Sequence, residues 1–167
     1  MKILKSYTFW GIIIVSILGT LCHFVYEWTN NNPIIGLFTP VNESTWEHMK
    51  LIFFPMIIYS VFINKKLSKI YPCIYSASAF SILFGTFLIP VLFYTYSGIL
   101  GYNIAIIDIL TFYISVIAAF CIYYRLAQSC KAQKYSSILN FLLFLIGVAF
   151  LFFTIYPPNI GIFISPI

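Results

Sequence analysis

Glu43, Glu47, His48 and Lys50 fall within eight residues of one another, in the stretch TPVNESTWEHMK at 39–50, and Asn42 stands beside them. Only 8% of the chain is charged, so this is a marked concentration. The stretch just before it adds His23 and Glu27, and Asp108 stands alone further on. Imidazole and carboxylate together are ligands for Zn²⁺ or another divalent metal, and His23, Glu27, Glu47 and His48 are the expected ligand set. A carboxylate left off the metal would act as general base on bound water. His23 and Glu27 are four apart, so on a helix they can touch. The pattern is not the H-E-x-x-H of a zinc protease, and no Ser or Cys nucleophile signature accompanies it.

A plainer account covers part of the cluster. STWE has the form of a capping box, in which Ser44 accepts from the Glu47 amide and Glu47 reaches back to the Ser44 amide. An acid in the first turn also complements the helix dipole. A salt-bridged network of Glu43, Glu47 and Lys50 would then be structural. Capping does not account for His48, for Lys50 about 9 Å further along a helix, or for His23 and Glu27. Ionisable groups at that depth in a membrane are functional candidates by default.

The elements that must carry these residues are membrane helices. The chain of 167 residues is 62% hydrophobic and 20% aromatic, with a mean hydropathy of +0.99. Typical soluble chains carry about 25% charged residues. The expected fold is all-α and polytopic, one integral membrane domain over residues 1–167. Five spans are expected, at about 7–28, 44–63, 72–96, 102–124 and 135–156, each close to the roughly 20 residues needed to cross the hydrocarbon. Pro90 predicts a kink in the third. Residues 29–43, with NNNP and FTP, read as irregular backbone. The apolar run from Lys2 and Lys5 through Trp28 lacks a small-residue cleavage site and is read as a retained span.

Eight of the nine bases lie on one side of that layout: Lys2, Lys5, Lys65, Lys66, Lys69, Arg125, Lys131 and Lys134. The positive-inside rule makes that side cytoplasmic, with the N-terminus inside and the C-terminus outside. All four acids then belong to the outer half. Ser16, Gly19, Thr20, His23 and Glu27 share one face of the first span; Asp108, Thr111, Ser115 and Ala119 share one of the fourth. Such stripes pack against protein. They are expected to meet Glu43, Glu47, His48 and Lys50 in a polar pocket. Trp28 and Trp46 suit an interfacial aromatic belt. Cys22, Cys73, Cys121 and Cys130 show no metal or disulfide spacing and read as small apolar filler. The NES sequon at Asn42 lies at the membrane surface and is not read as an acceptor. The net charge of +5 follows membrane topology and gives no reason to expect nucleic acid.

Three segments, HFVYEW, NPIIGLFTPVNESTWEHMK and the tail FTIYPPNIGIFISPI, resemble the signatures of a family of small bacterial and archaeal multi-pass membrane proteins. That family is classed only as a domain of unknown function. The resemblance spans most of the chain and implies membership and the five-span layout, not an activity. It also implies an acid before the last proline, where this chain has Ser165.

The expected localisation is the cytoplasmic membrane, and the expected partners are the lipid bilayer and a second copy of the chain. Three functions compete. One is a binding, sensing or scaffold protein whose polar pocket is structural or holds a ligand or partner. The second is a metal-dependent hydrolase or transferase acting on a lipid or small molecule at the outer leaflet. The third is a proton- or cation-coupled transporter component, although no polar stripe continues to the cytoplasmic side.

Overall fold

The computed structural model describes residues 2–166. Five long helices dominate: α1 (Lys2–Trp28), α3 (Thr45–Leu67), α4 (Ile74–Leu100), α5 (Ala105–Ser129) and α6 (Ser136–Ile155). A single turn, α2 (Pro33–Gly36), interrupts the first connection, and no strand occurs among the described residues. All five long helices are long and apolar enough to cross a membrane, as the apolar runs require, and the architecture is all-α and polytopic.

Helix α3 is the most enclosed and packs against α1 and α4, while α5 closes the ring by packing against α4 and α1. Helix α6 leans on the outside of α4 and is the least enclosed. The buried face of α1 is Leu4, Thr8, Gly11, Val15 and Gly19, spaced three and four apart as helical geometry demands. That face is rotated from the expected stripe: Gly19 is common to both, but Thr20 and Glu27 are exposed. The α5 stripe does face inward, with Thr111, Ser115 and Ala119 all buried.

Gly19 sets the closest approach between α1 and α3. A Cβ there would stand 2.5 Å from the Leu51 carbonyl oxygen and 2.5 Å from the Phe112 ring. Pro55 lies four residues beyond Leu51 within α3 and has no N–H to give that carbonyl. The oxygen released by the proline therefore occupies the space a side chain would fill. Helix α4 runs on through Pro90.

Two expectations change here. Trp46 is not an interfacial belt residue: it is 8% exposed and packs on Phe150 and Phe163, with ring centroids 4.7 and 4.8 Å away. Its partners come from the far end of the chain, so no local pattern announces them. Trp28 remains exposed. Cys73 and Cys130 are not apolar filler but form a disulfide joining the α3–α4 and α5–α6 connections, while Cys22 and Cys121 are free.

Candidate functional site

The turn into α3 decides where the charged residues go. Ser44 caps the helix, its Oγ accepting from the Glu47 amide at 3.4 Å. The reciprocal half of the capping box does not form. Asn42 Oδ1 accepts from the Ser44 amide at 2.9 Å instead, which frees the Glu47 carboxylate to turn inward. There Glu47 Oε2 accepts from the Val41 amide at 3.0 Å and from Lys50 Nζ at 2.6 Å. Both side chains of that pair are buried.

Lys50 Nζ also donates to Thr154 Oγ1 at 2.6 Å and to the Gly36 carbonyl at 3.0 Å. One ammonium group thus ties α3 to α6 and to the α2 connection. A buried lysine needs its charge paired and its donors filled, and this one has both. Glu47 and Lys50 are a structural clasp, and neither lines the cavity between α1, α3, α4 and α5.

That cavity, about 550 Å³, opens where α1, α3, α4 and α5 part above Gly19. Its polar wall carries His23 from α1, Glu43 from the turn just before α3, His48 from the first turn of α3, and Asp108 from α5. His48 Nε2 stands 3.3 Å from Glu43 Oε2, and His23 Nε2 stands 3.7 Å from the same oxygen. One ligand atom from each of the three residues lies within 4.8 Å of the other two. Atoms about 2.1 Å from a tetrahedral Zn²⁺ stand about 3.4 Å apart, so the two distances to Glu43 Oε2 suit a shared cation.

His48 is oriented by its other nitrogen. Its Nδ1 lies 2.9 Å from the Ser44 carbonyl oxygen, which can only accept, so Nδ1 carries a proton. The Nε2 lone pair of the neutral ring then faces the Glu43 carboxylate, acceptor against acceptor. Two occupants of the gap resolve this, a proton on Nε2 or a cation between the groups. A backbone carbonyl that fixes the tautomer is the usual support of a metal-bound histidine. With the proton on Nε2, the hydrogen bond from His48 holds the Glu43 carboxyl below its ordinary value near 4.5, partly offset by burial and reinforced by the charges of His48 and His23.

Asp108 is held from two sides. Tyr96 donates its hydroxyl proton to Oδ1, and the Asn103 amide donates to Oδ2 at 3.3 Å. Tyr96 in turn accepts from the Ile104 amide at the start of α5.

The structure divides the eight candidate residues into four groups. His23, Glu43 and His48 converge, and Asp108 lines the same cavity. Glu47 and Lys50 form the separate clasp. Asn42 is exposed and serves the turn. Glu27 is exposed and has no place in the cluster: His23 meets Glu43 rather than Glu27. The expected metal set of His23, Glu27, Glu47 and His48 is therefore not the set that converges. Glu43 takes the carboxylate position, because four residues along α1 carry Glu27 about 40° round the helix, while the α2 connection returns Glu43 to His23. Sequence reading also missed Tyr96 and Asn103, whose only signal was proximity to a lone intramembrane acid.

The tail reaches this end of the bundle. Ile162 and Phe163 pack against the core beside Trp46, and Pro166 lines the cavity. Ser165, where the family resemblance implies an acid, is exposed.

No curated protein and no solved structure matches the chain. The profile of a family of unknown function (DUF6512) matches it over residues 1–167, and the protein belongs to that family.

Proposed function

We propose that the protein is a metal-dependent hydrolase of the cytoplasmic membrane, with a divalent cation held by His23, Glu43 and His48 on the outer side. One observation carries this reading: two imidazole nitrogens and a carboxylate oxygen lie within 4.8 Å of one another on the wall of a cavity. Three protein ligands facing open space are the arrangement of a catalytic rather than a structural zinc. Eight of the nine bases belong to the opposite end of the bundle, which by the positive-inside rule supports an outer position for the cluster. A scaffold role explains Glu47 and Lys50 through their clasp, but it leaves the converging trio without a purpose.

The cation supplies Lewis acidity and a bound water of lowered pKa. His23 and His48 hold their positions through the helices, and the Ser44 carbonyl fixes the His48 tautomer. Asp108, held by Tyr96 and Asn103 on the same cavity wall, would be the base that takes a proton from that water. In ester hydrolysis such a water would add to the carbonyl carbon as the bond to the leaving oxygen breaks, and Asp108 would return the proton to that oxygen.

Metal analysis of protein purified without chelator tests the reading. Stoichiometric zinc, lost on chelation with a fall in melting temperature, is the expected result. Protein that carries no metal, gains none from added Zn²⁺ and melts unchanged with chelator would overturn it.

A further inference from the structure

We infer that the substrate of this site is a membrane lipid that enters sideways, between α1 and α5, with its headgroup end at His23, Glu43 and His48. The headgroup end rests on the metal-centre reading above; the route and the chain site rest on the cavity walls alone. Phe24 on α1 and Ile109 on α5 both line the cavity, yet they are 44% and 56% exposed. Residues that face a cavity and the outside at once form its rim. Leu21 and Ile106 beside them are also exposed and apolar, so this rim faces hydrocarbon rather than water. Thr20 Oγ1 and Tyr113 Oη meet at 3.0 Å and close the gap between α1 and α5 below it.

The interior behind the rim is apolar. Leu51, Ile89 and Phe112 line it and are almost fully buried. At the other end Glu43 has a side chain 65% exposed, so that end is wet. The tail covers the bundle end, with Phe163 on Trp46 and Pro166 in the cavity wall. A cavity wet at one end, open to hydrocarbon along its side and roofed by its own tail suits an amphiphile at the membrane interface. A small polar solute would gain nothing from the side opening and would leave the apolar interior unfilled. The volume of about 550 Å³ lies within the usual range of ligand sites, about 300–1,000 Å³.

Photolabelling in nanodiscs tests the inference. The probe is a phosphatidylglycerol with a diazirine on one acyl chain, diluted into phosphatidylglycerol and phosphatidylethanolamine. Labelled peptides should include the buried residues Leu51, Ile89 or Phe112, as well as outward residues such as Phe144 that any surrounding lipid touches. Ile109→Trp, which narrows the rim, should reduce the interior labelling several-fold, while Ile109→Leu and the labelling at Phe144 stay unchanged. Metal content measured on the same samples should not change. Labelling confined to outward residues would overturn the lipid site, and interior labelling untouched by Ile109→Trp would overturn the sideways route. Interior labelling without bound metal would sink the metal-centre reading and the headgroup placement that rests on it, and leave the chain site standing.

Discussion

The His48 ring gives its Nδ1 proton to the Ser44 carbonyl at 2.9 Å and turns Nε2 towards Glu43 at 3.3 Å. The helix cap and the candidate metal centre therefore share one residue. Ser44 closes the first turn of α3 with its side chain and orients an imidazole with its carbonyl. The sequence TPVNESTWEHMK is dense because these two tasks are laid over each other.

Glu43, not Glu27 or Glu47, is the carboxylate that should matter for metal. Glu43→Gln and His48→Ala should each weaken zinc binding by more than the about 10–100-fold that losing a ligand's hydrogen-bond partner costs. Glu27→Gln should leave binding unchanged, since Glu27 is exposed and apart. Zinc titration of the purified variants measures this. A Glu27→Gln protein that loses metal while Glu43→Gln keeps it would contradict the geometry.

The clasp should be read as stability. Lys50→Met strands the Glu47 carboxylate in a site without solvent, and breaking one side of such a pair costs about 3–5 kcal/mol. The double variant Glu47→Gln/Lys50→Met leaves no uncompensated charge and should recover much of that loss. Denaturation in mixed micelles compares the two. A double variant as weak as the sum of the singles would mean that the clasp does not act as a pair.

The five spans were legible because apolar runs of that length have one physical outcome, and the helix ends lie within five residues of expectation. Lys2, Lys5, Lys65 and Lys66 fall within the end turns of α1 and α3, because an apolar run sets only a helix's minimum length. Legibility fails wherever a residue's partner is distant in sequence. Trp46 looked interfacial because Phe150 and Phe163 are remote from it. The His23–Glu27 spacing suggested a pair on one helix, but the path of a connection, pinned by Lys50 to the Gly36 carbonyl, brings Glu43 instead. The pairing of Lys50 with Glu47 was legible from their spacing, but its other acceptors, Gly36 and Thr154, belong to two other segments and were not.

Gly19 should tolerate no side chain. Gly19→Ala would set a methyl against the Leu51 carbonyl and the Phe112 ring, and overpacking of this kind costs about 1–3 kcal/mol. Gly98, with nothing near a Cβ, is the control, and Gly98→Ala should not lower stability. Thermal melts in detergent separate the two. Because Leu51 and Phe112 also line the cavity, Gly19→Ala should disturb the interior lipid labelling more than zinc binding.

The disulfide sets two rules against each other. Cys73 and Cys130 lie at the end of the bundle that carries Lys65, Lys66, Lys69, Lys131 and Lys134. The positive-inside rule predicts a cytoplasmic position for that end, where structural disulfides are rare. Eight of nine bases agree on the orientation, so the expectation is that the orientation holds and the bond is open in cells. It then closes in air, since the fold already places the two cysteines together. Cys22 and Cys121 are free in either state. A membrane-permeant maleimide applied to intact cells, with denaturation after quenching, should therefore modify Cys73 and Cys130, and air-oxidised purified protein should not react there until reduced. Closing a loop of 57 residues stabilises by about 4 kcal/mol in the chain-entropy account. Oxidised protein should accordingly withstand more denaturant than the Cys73→Ser variant, and reduced protein should match that variant. Cysteines already bonded in intact cells would instead place the basic end outside, and the whole topology, metal cluster included, would have to be inverted.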